Sequence, residues 1–483
     1  MRFALLAVLA PLALSAQQPK ALSLEDAITM AQHQGPLAQV ARSTRDAARS
    51  RDHAFNARLL PQVMLAGNAA NLNRGINPIT LNDGSTKFVS QAQNQSSLGL
   101  SIAQKIPLTG GTLSIGSQVS RIDLFGDSTS KYWQTTPVFI GLQQDLFKPR
   151  TLVWDEKVEA LSASVAEREY LEAKEDVAGN TAAAFFDLYA AQMSYDNALA
   201  NTGVNDTLYT LNKGRYEVGK IGENDLLKSE LALLRARASL DDAKLTRDRA
   251  EAALRRMINY PEPSLSIVTP DSIPTVDADP DVAIRMALKN SSIMEQNDLD
   301  NVSTRRRTTE AKLNNRFNAT IAASIGFNQT APVFGQAYQS PLGKQQLQVG
   351  VNMPMVQWGA GRADVEAAKA DEIRVTANNK SRRDALVEDA RFSVLQLQQA
   401  QRNVVLAAKA DTVAGKQFEV AKNRYIIGKI AILDLYNAQS EKDAAVIARV
   451  QSLRTYWTAY YHLRRVTLYD FATKQEMSEV RDR

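Results

Sequence analysis

The order of hydrophobic and polar positions divides the chain into long helical stretches separated by shorter stretches with the period of a β-strand. The helical stretches are rich in Ala, Leu, Glu, Lys, Arg and Gln, which are good helix formers, and are nearly free of proline. They cover residues 24–60, 151–216, 224–258, 281–317, 362–425 and 432–466. A run of 66 residues would be about 100 Å long as a helix. Such a rod must pack along neighbouring helices, as in a coiled coil.

Between the helical stretches, apolar residues recur at every second position. The pattern predicts strands at about 61–72, 137–147, 319–328 and 345–356. Residues 95–120 alternate in the same way around a turn at 106–111, which predicts an inserted hairpin. Strands of this length with one apolar side are typical of an outer-membrane protein, although a half-buried strand of a soluble sheet has the same pattern. The sequence leaves open whether the hairpin joins a barrel or lies outside it.

The chain contains two copies of one unit. The segments 215–226 and 424–435 share Arg, Tyr, Gly, Lys, Ile, Asp and Leu at an offset of 209 residues. An offset of 256 relates residues 27–31 to 283–287. The first copy therefore carries an insertion of roughly 50 residues, the difference between the two offsets, between about residues 72 and 137. The predicted organisation is a signal peptide at 1–16, a first repeat at 17–260, a linker at 261–280, a second repeat at 281–466 and a tail at 467–483.

The amino terminus has the features of a secretory signal peptide. A basic start at Arg2 precedes an apolar run at 3–14, and the small residues Ser15 and Ala16 follow it. The apolar run is too short to span a bilayer, and no later stretch approaches 18 consecutive apolar residues. We therefore expect an exported mature chain.

Composition removes several classes of function. Lys plus Arg is 57 and Asp plus Glu is 52, and an excess of +5 over 483 residues is too small to indicate a nucleic-acid partner. The chain has no cysteine, which excludes disulfides, thiolate metal sites, cysteine nucleophiles and a lipidated amino-terminal cysteine. Its three histidines lie far apart. We therefore predict neither a metal site nor a cofactor, and no catalytic residues.

The sequence resembles the TolC-like outer-membrane efflux proteins over its whole mature length. The features that carry the resemblance are Leu-Ser-Leu-Glu-Asp-Ala at 22–27, Leu-Leu-Pro-Gln at 59–62, the duplicated Arg-Tyr-x-x-Gly-Lys-Ile turn and Met-Pro-Met-Val-Gln-Trp-Gly-Ala-Gly at 353–361. The counterpart of that last segment, at 145–150, lacks its paired glycines, and the inserted hairpin changes the expected number of strands.

The resemblance implies a mainly α-helical fold with a membrane β-barrel segment, built from long coiled-coil-like helices and transmembrane strands. Three identical chains would form one tunnel, each contributing four strands to a shared barrel. The implied location is the outer membrane, with a long periplasmic helical extension. The implied function is passive conduction of substrates received from an inner-membrane pump through a periplasmic adaptor. Efflux of drugs or metals and type I protein secretion all use such conduits, and the sequence does not distinguish them.

The duplicated turns are the candidate functional site. The resemblance places Gly219, Lys220, Gly428 and Lys429 at the periplasmic tip, where an adaptor docks and the tunnel narrows. It assigns Asp434, Asn437 and Asp225 to the aperture, with Asn437 standing where the family often has a second acid. A carboxylate ring in a narrow mouth favours cations. The latch residues are Tyr425 and Tyr216, and the family pattern would pair Tyr425 with Asp225.

Three other classes of protein fit the sequence less well than a channel. A periplasmic adaptor has long helical hairpins, but it has one hairpin between glycine-rich β-domains, whereas this chain has two copies of its unit. An exported structural coiled coil does not explain the alternating strands. An enzyme is disfavoured because Gly359 and Gly361 before Asp364 lack both the third glycine and the βαβ context of a dinucleotide-binding motif.

Overall fold

The computed structural model describes residues 21–125, 129–269 and 273–477. The predicted signal peptide at 1–16 lies outside the described residues. Eight α-helices are present in the described ranges, and they are α1 (Leu24–Gln34), α2 (Pro36–Arg58), α3 (Thr151–Glu217), α4 (Glu223–Ile258), α5 (Pro280–Asn290), α6 (Ser292–Asn314), α7 (Ala360–Ile426) and α8 (Ile432–Thr467). Among the described residues, none of these helices combines the length and the apolar character needed to cross a membrane.

Two predicted helices are each two helices in the structure. The stretch 24–60 is broken at Gly35, where a Cβ would approach the Ala31 carbonyl oxygen to 2.4 Å and the Met257 carbonyl oxygen to 2.8 Å. Pro36, which has no N–H to continue a helix, then begins α2. The stretch 281–317 is broken at the equivalent position, Ser291, whose N–H ends α5 by donating to the Ala287 carbonyl.

The strands form one antiparallel sheet of seven strands and one small hairpin. Their bounds are β1 (Gln62–Asn68), β2 (Leu72–Thr80), β3 (Thr86–Lys105), β4 (Thr112–Phe125), β5 (Ser130–Leu146), β6 (Asn318–Ala331), β7 (Leu342–Asn352), β8 (Tyr469–Asp470) and β9 (Gln475–Glu476). The order in the sheet is β1-β3-β4-β5-β6-β7, and β2 pairs with the first part of β3. The small hairpin pairs β8 with β9 in the predicted tail.

The inserted hairpin is therefore part of the sheet. The predicted hairpin at 95–120 corresponds to β3 and β4, which lie between β1 and β5 with an unbroken β3–β4 register from Ala92–Phe125 to Lys105–Thr112. The predicted strand at 61–72 is two strands, and the strand predicted at 137–147 begins at Ser130. The four strands per chain implied by the resemblance are thus corrected to six along the path of the sheet.

The chain divides into two compact units. In the described ranges, one unit contains residues 21–45, 167–292 and 383–477, and the other contains 46–166 and 293–382. The second unit holds the seven-stranded sheet. In the linker of the first unit, Ile267 forms a single parallel β-bridge with Leu22.

The first unit has its own cores of tightly packed side chains. Phe185 and Phe186 of α3 are fully buried, and their rings meet edge to face 5.5 Å apart. A second cluster surrounds Tyr456 of α8, whose hydroxyl donates to the Pro274 carbonyl oxygen at 2.6 Å. A third, smaller cluster lies beside the turns and is described with them below.

Candidate functional site

The two predicted turns end their helices in the same way. Gly219 and Gly428 lie in the left-handed region, with φ of 69° and 74°, where a residue with a Cβ is strained. In both turns the N–H groups of the glycine and of the following lysine donate to carbonyl oxygens of the last helical turn, at 2.8–2.9 Å. Gly219, Lys220, Gly428 and Lys429 are all exposed. The repeat in sequence is therefore a repeat in backbone conformation.

The predicted aperture residues lie at the start of the helices that follow these turns. Asp434 and Asn437 are both exposed on α8, three residues apart and so on one face of the helix. The Asp434 carboxylate accepts a hydrogen bond from the Ala431 N–H at 3.3 Å, which ties it to the start of the helix. Asp225, at the start of α4, is half-exposed and pairs with Lys228 at 3.7 Å.

The Tyr425 hydroxyl does not reach the predicted partner. It donates to the Oδ1 atom of Asn212 at 3.1 Å, and both side chains are buried, with 6% and 2% of their surfaces exposed. A hydroxyl carries one proton to donate, and Asp225 pairs instead with Lys228. The hydrogen bond of Tyr425 therefore joins α7 to the last turns of α3, and the expected pair with Asp225 of α4 is not formed.

Arg215 completes the contact between α3 and α7. Its guanidinium lies 5.7 Å from the centre of the Tyr425 ring, within range of a cation–π interaction. The same group donates to the Ile426 carbonyl oxygen at 3.5 Å. Tyr216, the second predicted latch residue, is 42% exposed instead. The two equivalent tyrosines thus occupy different environments within one chain.

A small apolar core supports the Tyr425 contact. Leu208, Phe418 and Leu435 are buried around it, so the cluster joins α3, α7 and α8 next to the turn. Tyr436 packs on this cluster, and burial, with a smaller contribution from Tyr425, raises the pKa of its hydroxyl to about 12. That hydroxyl has no hydrogen-bond partner among the described residues. Packing of these side chains and the buried Tyr425–Asn212 hydrogen bond therefore join α3, α7 and α8 beside the turn.

Sequence reasoning missed Asn212, although the repeat contains a sign of it. At the offset of 209 residues, Asn212 corresponds to Ala421. Buried amide side chains are usually hydrogen-bonded. An asparagine at a buried position where the other copy has a small apolar side chain therefore indicates a hydrogen-bond partner nearby. Comparing the two copies for polar-to-apolar changes on buried helix faces would have singled out this position.

A groove of about 800 Å³ lies between α4 and α8 beside the tip, with α3 as its floor. Lys228 and Arg235 stand on its α4 side. On the opposite side, Asp443 accepts a hydrogen bond from the Asn201 amide of α3 at 2.5 Å. The Oδ1 atom of Asn205 and the Oε1 atom of Gln439, two buried side chains that line the groove, have no hydrogen-bond partner among the described residues.

Within residues 21–125, 129–269 and 273–477, no group of three or more His, Cys, Asp or Glu side chains is placed to hold a metal ion.

Comparisons with known proteins identify the fold and the family resemblance. Residues 89–260, from within β3 to just beyond α4, match the family model described as outer membrane efflux protein. No curated protein sequence matches the chain significantly.

Three solved structures illustrate the likeness of fold. The CmeC outer membrane channel of Campylobacter jejuni has 16% identity and a TM-score of 0.67, covering 94% of this chain and 87% of its own. The outer membrane protein VceC of Vibrio cholerae has 14% identity and a TM-score of 0.64, covering 92% of this chain and 95% of its own. The open state of the MtrE outer membrane channel of Neisseria gonorrhoeae has 16% identity and a TM-score of 0.62, covering 92% of this chain and 88% of its own.

The resemblance to the TolC-like outer-membrane efflux proteins is therefore confirmed, as is the predicted fold class of long helices joined to an antiparallel sheet. The matched family is one of channel proteins and not of enzymes.

Proposed function

We propose that this chain, which has the fold of the outer-membrane efflux channels, is the exit duct of an efflux or type I secretion apparatus. Three copies form one tunnel in the outer membrane, with their helices extending into the periplasm. Transport through the duct is passive, and the inner-membrane pump supplies the energy. The chain is exported by its signal peptide and, having no cysteine, carries no amino-terminal lipid.

The observation that carries the proposal is the form of the sheet. One of its faces bears an apolar row along almost its whole width, and the members of this row are Val63, Ile102, Ile115, Ile140 and Ile325, each 43–68% exposed. Within the described chain, β1 and β7 each pair on one side only. An apolar face with open edges is unstable in lipid, because each unpaired backbone group there costs several kcal/mol. Closure against further copies removes both edges.

The position of Asp434 supports the proposed gating at the helix tips. Asp434 is exposed and fixed to the start of α8 by its hydrogen bond from Ala431. In a trimer with this helix facing the axis, three carboxylates would meet in the mouth and hold cations there. Opening then requires the tips to separate, which the Tyr425–Asn212 hydrogen bond and the Arg215 contact oppose. The gonococcal relative was solved in an open state, and we propose a comparable transition here.

The tip also supports the proposed contact with a periplasmic adaptor. The turns at Gly219–Lys220 and Gly428–Lys429 are exposed, and they present backbone groups and two lysines to a partner. The groove between α4 and α8 leads away from the tip and is wide enough to receive side chains from a helical hairpin. An adaptor that ends in such a hairpin would contact both the turns and the groove.

The alternative functions explain less of the molecule. A periplasmic adaptor or an exported structural coiled coil would have no use for six strands with an apolar outer face. Among efflux of drugs, efflux of metals and protein secretion, the choice depends on the pump and adaptor that work with this chain.

The test is reconstitution of the purified full-length chain. Native mass measurement in detergent should give three mature chains, and planar bilayers should show discrete conductance steps. Flux should need no nucleotide. A chain that stays soluble in the periplasm after cell lysis, or a trimer that never conducts, would refute the channel. A stable monomer that inserts and conducts would refute the trimer alone.

A further inference from the structure

The repeat shows which strands of the sheet are additional. The offset of 256 residues relates the first residue of β1, Gln62, to the first residue of β6, Asn318. The offset of 209 relates Gly141 of β5 to Gly350 of β7. The second repeat supplies only β6 and β7, so β3 and β4 have no counterpart there. Without β3 and β4, each repeat would contribute two antiparallel strands, which makes four in the chain.

The additional hairpin continues both faces of the sheet. On the apolar face, Ile102 of β3 and Ile115 of β4 are paired with each other, and they lie between Val63 of β1 and Ile140 of β5. All four side chains are 43–68% exposed. A hairpin that projected away from the membrane would have no reason to keep its apolar side chains in this row. Its exposed apolar side therefore belongs to the wall that faces lipid.

The opposite face of the sheet carries mostly polar or small side chains. Across the six strands, one row of paired residues on that face is Gln62, Ala103, Ser114, Gly141, Ser324 and Gln346. In the next row the hairpin contributes the small residues Ser101 and Gly116. The other members of that row are Met64, Phe139, Gly326 and Lys344. Alternating apolar and polar sides along every strand is the pattern of a membrane barrel with an aqueous interior. The hairpin lines that interior mainly with small and polar side chains, and Lys105 lies on the same face at the end of β3.

Resting on the trimer of the proposed function, we infer that the inserted hairpin widens the membrane part of the duct. Six strands from each of three chains give eighteen, whereas the repeat without the hairpin gives twelve. The strand number per chain is even, so β7 of one chain and β1 of the next run antiparallel and close the ring. Barrel diameter grows roughly linearly with strand number, which makes this barrel about 1.5 times wider at equal strand tilt.

The consequence is a change in the size of cargo that can leave. Barrels of about 16–18 strands enclose an open aqueous channel. The lining is mostly small and polar, with Lys105, Asp145 and Lys344 among its charged side chains. The membrane part of this duct would therefore discriminate mainly by size and pass bulkier hydrophilic cargo than a twelve-stranded duct.

A deletion variant tests the inference in the full trimer. Removing residues 86–125 takes out β3 and β4 and leaves nine residues between Thr80 and Ser130. The native connection between β6 and β7 has ten residues, 332–341, so the shortened loop is long enough for a hairpin. Neutral polyethylene glycols of increasing size, added only on the barrel side of a planar bilayer, report the width of that mouth independently of the helix tips.

The parent should admit polymers with a radius about 1.5 times larger than the largest that enter the deletion variant. Equal limits for the two proteins would overturn the inference and leave the channel function intact. Absence of any current from the parent would instead overturn the proposed function.

Cysteine substitution tests whether the hairpin is part of the membrane wall, even where the deletion variant does not assemble. The parent has no cysteine, so each introduced thiol is the only one in the chain. Leu100→Cys and Ser101→Cys probe the two faces of β3, and Val349→Cys and Gln348→Cys are matched controls on β7. In liposomes, a water-soluble maleimide should label Ser101→Cys and Gln348→Cys. A fluorophore at Leu100→Cys or Val349→Cys should be quenched by a quencher attached to lipid tails.

The inference is wrong if both β3 thiols react with the water-soluble reagent while, of the two β7 thiols, only that of Gln348→Cys reacts. The hairpin would then lie outside the membrane wall.

Discussion

The hydroxyl of Tyr425 donates to the side-chain oxygen of Asn212, and this buried hydrogen bond joins α7 to α3 beside the tip. The two copies of the repeat are not equivalent here. Tyr216, the counterpart of Tyr425, is exposed, and the counterpart of Asn212 is Ala421, which has no group to accept a hydrogen bond. In a ring of three chains, the latch would therefore form at one kind of helix contact and not at the other. Such a trimer would have three-fold order at the tip, even though the backbone of the two turns repeats.

We predict that Tyr425→Phe loosens the closed tip. The change removes the hydroxyl but keeps the ring, so the contact with Arg215 is retained while the Asn212 oxygen loses its donor. A buried hydrogen bond of this kind stabilises by about 1 kcal/mol, and three copies act on one aperture. Mean single-channel conductance or open probability should rise by several-fold in planar bilayers.

Tyr216→Phe is the matched control, since it makes the same change at the equivalent, exposed position. It should leave the conductance as in the parent. Asn212→Ala should reproduce the effect of Tyr425→Phe, because it breaks the same hydrogen bond from the other side. Equal behaviour of the Tyr425 and Tyr216 variants would show that the latch has no role in gating.

A second prediction concerns cation binding at the aperture. Two unit charges 4 Å apart repel by about 1 kcal/mol in water and by more in a poorly screened mouth, so a ring of Asp434 carboxylates would hold cations. Asp434→Ala should weaken block of the current by divalent or trivalent cations. Asn437→Asp should strengthen it, because the new carboxylate lies on the same exposed face of α8, three residues away.

Asp225→Ala serves as the control for charge in this second experiment. Asp225 begins α4 and is already paired with Lys228, so its removal should change cation block much less than the loss of Asp434. A larger effect of Asp225→Ala would show that α4, and not α8, lines the aperture.

The periodicity of the sequence was sufficient to locate the long helices and the two turns. The features that it missed depend on contacts distant in sequence. The break at Gly35 arises because a Cβ there would meet the Met257 carbonyl oxygen. Pro36 was a local sign of that break. The offset of 256 residues relates Gly35 and Pro36 to Ser291 and Ser292, so the same break could have been predicted in the second repeat.

The sheet and the latch differ in how far sequence could define them. Alternation identified β3 and β4 as a hairpin, but their place in the sheet depends on the pairing of β1 with β3 and of β4 with β5, which a period-2 pattern does not specify. The latch required knowing that a buried face of α3 meets Tyr425. An isolated asparagine in a 67-residue helix does not reveal its partner.

Export provides a third prediction. The mature chain should begin just after Ala16, because the apolar run at 3–14 is followed there by small residues. Mass spectrometry of the protein extracted from outer membranes should give a mass without those residues and without an added lipid, since there is no cysteine to carry one. An intact amino terminus on the membrane-bound protein would contradict this.

A fourth prediction concerns a buried ion pair in the first unit. Arg464 contacts Glu175 at 2.8 Å and Asp470 at 3.4 Å, and the Glu175 side chain is only 6% exposed. Arg464→Met should destabilise the protein by about 3 kcal/mol at neutral pH, because it leaves a buried carboxylate without its cation. The neighbouring variant Arg465→Met removes a more exposed pair with Asp176 and should change stability by less than about 1 kcal/mol.

The pH dependence of the same variant tests the cause. Burial already raises the pKa of Glu175 above its ordinary value, against the opposing attraction of Arg464. Loss of the arginine should raise it further. A carboxyl with a raised folded-state pKa destabilises the fold increasingly as pH rises from its unfolded-state pKa to its folded-state pKa, and the full cost is present above the latter. Protonation at lower pH relieves the cost. The deficit of Arg464→Met in thermal midpoint should therefore shrink on acidification from pH 8 toward pH 5, while that of Arg465→Met should not. A deficit independent of pH would mean that the arginine acts through packing against Tyr460 and Tyr461 and not through its charge.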